Sequence, residues 1–77
     1  MEAEFLMSAH DPCIAFGAKI RSLRESSGYS QEQFADIAGL DRTYISSVER
    51  GKRNVSLRNI IRLAEALSVH PRELFDP

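Results

Sequence analysis

Leu40-Asp41-Arg42-Thr43-Tyr44-Ile45-Ser46-Ser47-Val48-Glu49-Arg50-Gly51 places an acid before a run with apolar residues at Ile45 and Val48, and a glycine after it. Asp41 suits a helix N-cap, because its carboxylate accepts backbone N–H groups that a first turn leaves unpaired, and Gly51 supplies a stop. The spacing predicts a helix from about Arg42 to Arg50 with Ile45 and Val48 inward. At about 100° per residue, Arg42, Thr43, Ser46, Ser47 and Arg50 share the opposite arc. Upstream, Ser30-Gln31-Glu32-Gln33 is a second start signal, since Ser30 and Gln33 fit the reciprocal capping box. It predicts a helix with Phe34, Ile37 and Ala38 inward and Ala35 at an edge where two helices cross closely. Gly39 ends that helix, Gly39-Leu40-Asp41 forms the turn, and Leu40 plugs the core beneath it. Two short helices joined by a tight turn are a helix-turn-helix unit. A second helix that is polar on one face and basic at its ends fits the DNA major groove, which displays a readable pattern of donors and acceptors.

The flanks read as helices too. Asp11 offers an N-cap and Pro12 the first helical position of a segment to about Ser27, with Phe16, Ile20 and Leu23 as its apolar stripe and Gly28 as its stop. Lys52-Arg53-Asn54-Val55 is a basic loop. Ser56 caps a helix to about Ser68 that turns Leu57, Ile60, Leu63, Ala64 and Leu67 inward, and a short fifth helix spans about Pro71 to Phe75. No segment alternates with period two long enough for a strand. The expectation is an all-α fold of five helices over residues 11–77, preceded by a flexible acidic tail over residues 1–10.

A chain of 77 residues holds one domain with a modest core, which self-association would help to stabilise. No apolar run approaches the roughly 20 residues of a membrane span. The acidic opening Met1-Glu2-Ala3-Glu4 is unlike a secretory leader, and the single Cys13 has no internal disulfide partner, so the expected location is the cytoplasm. The net charge of -1 hides an uneven distribution. Residues 1–12 carry Glu2, Glu4 and Asp11 with no Lys or Arg. Residues 39–62 carry Arg42, Arg50, Lys52, Arg53, Arg58 and Arg62 against Asp41 and Glu49. The basic charge thus surrounds the proposed reading helix, and its placement on the motif favours DNA over a merely solvated surface.

From about residue 14 to 75 the chain resembles the Cro/C1-type (XRE family) helix-turn-helix domain of phage repressors, and within it the controller proteins of bacterial restriction-modification systems. Leu40-Asp41-Arg42-Thr43-Tyr44-Ile45-Ser46, Glu49-Arg50-Gly51, Arg53-Asn54 and Pro71-Arg72-Glu73-Leu74-Phe75 carry the resemblance. It implies a lambda-repressor-like DNA-binding domain. It places Arg42, Thr43, Tyr44 and Ser46 at the DNA, gives Gln31 a phosphate contact, and matches Arg53 and Asn54 to a loop that grips the backbone or the minor groove. It also implies timing of endonuclease and methyltransferase expression through the chain's own operator. The acidic tail has no counterpart in this resemblance.

Chemistry adds roles. A guanidinium at the front of the reading helix can donate two parallel hydrogen bonds to guanine, so Arg42 is the expected main base reader. Thr43 and Ser46 are small enough to approach bases or phosphates, with plain solvent exposure as their alternative. Ser47 lies farther round and is expected at the DNA backbone. Tyr44 lies between core and surface, and either packs structurally or also reaches DNA with its hydroxyl. Gln31 sits at a helix N-terminus that favours anions, or else merely extends the cap. Arg50, Lys52, Arg53 and Arg58 are expected phosphate binders. Glu49 would repel phosphate and is expected to turn back and pair with Arg24, as phage-repressor domains pair the matching positions.

No cofactor is expected. His10 and Cys13 are too few for a zinc site, and no nucleophile, base and orienting acid come together, so catalysis is not expected. Ile61, Leu74 and Phe75 are the candidate dimer contacts, with closure of the monomer core as the alternative for Phe75. A homodimer would place two reading helices about 34 Å apart on a pseudo-palindromic operator. Glu25, Glu32 or Asp36 would be the surface for RNA polymerase. The rival readings are a phage-type repressor or antitoxin-type autoregulator, and a helical protein-interaction module that does not bind DNA.

Overall fold

Each helix begins where a side chain can take over the unpaired N–H groups of a first turn. The computed structural model describes residues 11–76, so the tail expected over residues 1–10 lies outside the described residues. The helix α1 spans Pro12–Ser26, with Asp11 accepting from the Cys13 N–H at 2.8 Å. The helix α2 spans Gln31–Ala38. Ser30 Oγ accepts from the Gln33 N–H at 3.0 Å, and Gln33 Oε1 accepts from the Ser30 N–H at 2.9 Å. The helix α3 spans Arg42–Glu49 behind Asp41, whose carboxylate accepts from the Thr43 N–H at 2.8 Å. The helix α4 spans Leu57–Leu67 behind Ser56, which accepts from the Asn59 N–H at 3.2 Å.

The expected fifth α-helix is instead a 3-10 helix, Pro71–Phe75. Five residues give too few i to i−4 bonds to repay nucleation, whereas the tighter turn closes with i to i−3 bonds such as Glu73 N–H to the His70 carbonyl at 2.9 Å. The fold is therefore four α-helices and one 3-10 helix, with no strand among the described residues.

Phe34, Ile20, Ile45, Leu63, Leu74 and Val48 are fully enclosed, and Phe16, Ala35, Ala38, Ala64, Ala66 and Leu67 complete the core. Two expected core residues lie outside it. Ile37 is 51% exposed because Phe34, Ala35 and Ala38 define the buried arc of α2, and Ile37 falls about 100° from its centre. Leu57 is 74% exposed because it is the first residue of α4 and its side chain leans back past the helix end, where nothing covers it. Leu74, assigned to a dimer contact, is 0% exposed and belongs to the monomer's core.

Gly17 brings α1 and the end of α3 together backbone to backbone. A Cβ there would overlap the Val48 carbonyl oxygen and sit 3.0 Å from that of Glu49. The clash is with backbone, which cannot swing aside as a side-chain tip would. Gly17→Ala is expected to destabilise the fold by about 2–3 kcal/mol, read as a lower urea midpoint at unchanged m-value.

Candidate nucleic-acid interface

The turn between α2 and α3 is tight because Gly39 adopts φ 70, a left-handed conformation in which the Leu40 N–H reaches the Ala35 carbonyl at 2.9 Å. Leu40 packs partly buried beneath it. On α3, Ile45 and Val48 anchor the inner face at 0% and 1% exposure. Arg42 and Thr43 are exposed at the N-terminal end, and Ser46 is half-buried and accepts a hydrogen bond from Arg50 Nη1. No hydrogen bond ties the Arg42 guanidinium to the described residues, so its fork of donors faces outward unused.

At its other end, α3 closes with paired bonds: the Gly51 N–H to the Val48 carbonyl and the Lys52 N–H to the Ser47 carbonyl, both 2.9 Å. Gly51 takes φ 74 to permit this. The basic loop is thereby folded back along the reading helix. Lys52, Arg53, Asn54 and Arg58 are all exposed, as is Arg50.

Four residues meet at this junction. Tyr44 is half-buried, and its hydroxyl accepts from Asn59 Nδ2 at 3.0 Å. Its ring lies under Arg53, with the guanidinium carbon 5.4 Å from the ring centroid. Ser47 departs from the sequence reading. It is only 7% exposed, its hydroxyl donates to the Tyr44 carbonyl at 2.8 Å, and it accepts from Arg53 Nε at 3.0 Å. A buried, doubly committed hydroxyl has no free direction toward a phosphate. Asn59 was not singled out in the sequence, because its side chain meets Tyr44 only once the tertiary fold brings the start of α4 near α3, and no local spacing reports that contact.

A second cluster ties the helices behind the interface. Arg24 Nε meets Glu49 Oε2 at 2.6 Å, Arg24 Nη2 meets Glu49 Oε1 at 3.1 Å, and Arg24 Nη1 donates to the Tyr29 carbonyl at 2.7 Å. The Glu49 side chain is 3% exposed and that of Arg24 10%. The hydrogen bonds to Glu49 push the Arg24 pKa above its ordinary value against the opposing effect of burial, so the guanidinium stays charged. Gln31, at the first position of α2, donates from Nε2 to Glu49 Oε1 at 3.0 Å. One of its amide donors is thus spent on the scaffold, and only the remainder faces outward.

Cys13 is half-buried at the start of α1, and its thiol pKa is raised by burial and then by the neighbouring Asp11, so the site keeps the thiol protonated near neutral pH. His10 lies outside the described residues, among which no group of three or more His, Cys, Asp or Glu is placed to hold a metal. No helix there is long and apolar enough to cross a membrane.

Two short helices at a glycine turn, with the polar side of the second turned out beside a basic loop, define a helix-turn-helix protein. The chain belongs to that family: the profile described as helix-turn-helix matches residues 20–74. It is similar to control protein C.BamHI of Bacillus amyloliquefaciens, 52% identical over 64 residues that cover 82% of this chain and 79% of that one. Control protein C.MunI of Mycoplasma sp is 49% identical over 67 residues, 86% of this chain and 90% of that one. Among solved structures, the restriction-modification controller protein C.AhdI from Aeromonas hydrophila superposes with a TM-score of 0.82 at 52% identity, covering 84% of this chain and 98% of that one. The resemblance to controller proteins drawn from the motif residues is upheld by these relatives.

Removing one member of a buried ion pair leaves the other charged and unsatisfied. Glu49→Ala is expected to cost about 3–5 kcal/mol of stability, and an unchanged melting temperature would reject that role for the pair.

Proposed function

We propose that this chain is a sequence-specific DNA-binding transcriptional regulator of the restriction-modification controller type, acting as a homodimer on its own operator in the cytoplasm. The observation that carries the reading is the state of α3. Its apolar side is locked into the core, while Arg42 and Thr43 stand exposed at the end that enters a groove first. Arg42 supplies a bidentate fork suited to guanine, and Thr43 supplies a methyl and a hydroxyl for a thymine or a phosphate. Ser46 stands beside them. Arg50, Lys52, Arg53, Asn54 and Arg58 flank the helix and would hold phosphates, giving affinity without sequence preference. The similarity to named controller proteins supports the same regulatory role.

Dimerisation would use Ile61, 37% exposed on α4, and Phe75, 49% exposed on the 3-10 helix. Phe75 also rests on Phe16, the ring centroids 5.5 Å apart, so a partner would cover its open side while the monomer holds the other. Leu74, being enclosed, drops out of this surface. Two subunits would read a pseudo-palindromic operator with half-sites about one helical turn apart. Contact with RNA polymerase falls to Glu32 and Asp36, exposed on α2, more than to Glu25, whose carboxylate already meets Arg21 Nε at 3.2 Å.

Selection of bound duplexes from a random pool is expected to return one symmetric site, with affinity falling steeply as salt rises. Arg42→Ala should then weaken binding to that site by about 10- to 100-fold, the equivalent of one lost bidentate base contact, while barely changing binding to a scrambled duplex. Equal losses on both duplexes would remove Arg42 as a base reader. In sedimentation equilibrium at micromolar concentration the chain should run as a dimer, and Phe75→Ala should shift it toward monomer; a wild-type monomer would remove the dimer.

A further inference from the structure

We infer that Ser47 and Tyr44 are positioning residues for Arg53, holding its guanidinium against α3 so that the basic loop and the reading helix meet DNA as one preset surface. This rests on the DNA-binding reading above and assigns roles within it that differ from direct contact.

The geometry is specific. The Ser47 hydroxyl proton is committed to the Tyr44 carbonyl at 2.8 Å, which leaves its lone pairs for the Nε–H of Arg53 at 3.0 Å. The Tyr44 ring supplies the second hold, 5.4 Å from the guanidinium carbon, where the face of an aromatic ring attracts a cation. Asn59 Nδ2 on the Tyr44 hydroxyl at 3.0 Å fixes the tip of that ring from α4. The left-handed Gly51 brings the loop within reach. Arg53 is hydrogen-bonded through Nε alone, and no hydrogen bond joins its two terminal amino groups to the described residues. Those are the groups that form a planar fork for phosphate or a base edge. A lysine has no second donor part-way along its chain, so it cannot be gripped by the serine and still present its charge.

An arginine already held in place loses less rotamer freedom on binding, and one side chain's worth of ordering corresponds to about two- to tenfold in affinity. The charge that displaces counterions is unaffected by how the side chain is held, so positioning changes affinity and leaves the salt slope alone.

The test uses the whole chain and the duplex recovered by random selection. Ser47→Ala replaces a buried hydroxyl with a smaller helix-forming residue and should keep the fold. It should weaken binding about fivefold with an unchanged salt slope. Arg53→Lys should do the same, while Arg53→Ala should weaken binding further and lower the slope by about one. In the Arg53→Ala background, Ser47→Ala should have no further effect. Without DNA, the Arg53 Nε–H resonance should be distinct in the wild type and collapse to the averaged arginine position in Ser47→Ala. An equal Ser47→Ala loss in both backgrounds, or an unmoved Arg53 resonance, overturns the positioning role while DNA binding stands. So does an Arg53→Ala protein that binds like wild type while Arg42→Ala still fails. A wild type that ignores duplex DNA removes the functional reading and this inference with it.

Discussion

A guanidinium and a carboxylate meet almost out of water where Arg24 of α1 grips Glu49 at the end of α3. Burying two charges is costly, and their attraction repays it only when the remaining donors and acceptors are also satisfied. Here they are: Arg24 also reaches the Tyr29 carbonyl, and Gln31 adds a third donor to Glu49. One carboxylate therefore ties α1, the start of α2 and the end of α3. Gly17 acts at the same crossing, since the absence of a Cβ lets α1 approach the carbonyls of Val48 and Glu49. The pair and the glycine hold α3 against α1, and the contacts proposed for Arg42, Thr43 and Ser46 depend on that placement.

The local grammar of this fold was plain in the sequence. Asp11, Ser30, Asp41 and Ser56 all cap the helices they precede, because a cap needs only a short polar side chain and a free N–H nearby. Gly39 and Gly51 mark their turns for an equally local reason. The departures all need information from elsewhere in the chain. Ile37 and Leu57 have plausible spacing, but which edge of an apolar arc is covered depends on the neighbouring helix. Leu74 lies near the chain's end, where a sequence suggests an open surface, yet the 3-10 turn tucks it under α1 and α4. Ser47 sits on the polar arc of α3 by angle, but the returning basic loop covers it.

Net charge was the weakest guide. A chain at -1 suggests indifference to a polyanion. What a phosphate meets, however, is the field within a Debye length, about 8–10 Å at moderate salt. Within the stretch around α3 and its loop the balance is strongly positive, and the one acid on the reading helix that would oppose it, Glu49, is turned away and neutralised by Arg24. The same ion pair that orients α3 therefore also removes a negative charge from the face it presents.

The two arginines given distinct roles in the proposed DNA contact, Arg42 and Arg53, are held oppositely, and that contrast has a physical reason. Eight residues of α3 extend about 12 Å, too short to be stable alone, so the helix is rigid only through its buried side and its ends. Arg42, exposed at the leading end, has no hydrogen bond from its guanidinium to the described residues, which suits the proposed role of adjusting its fork to a base edge. Arg53 lies on a loop with no helical ladder to stiffen it, and there the structure supplies the stiffness from outside, through Ser47, the Tyr44 ring and, behind them, Asn59. Freedom costs the reader rotamer entropy on binding, about 0.5–1.5 kcal/mol, but lets its fork settle into the geometry of the base edge. A clamp gains from restraint because phosphates recur along the backbone, and only a fixed stance tells it which one to hold. Under the proposed function, sequence preference falls to Arg42 at the leading end of α3 and register to Arg53 on the loop beyond its other end.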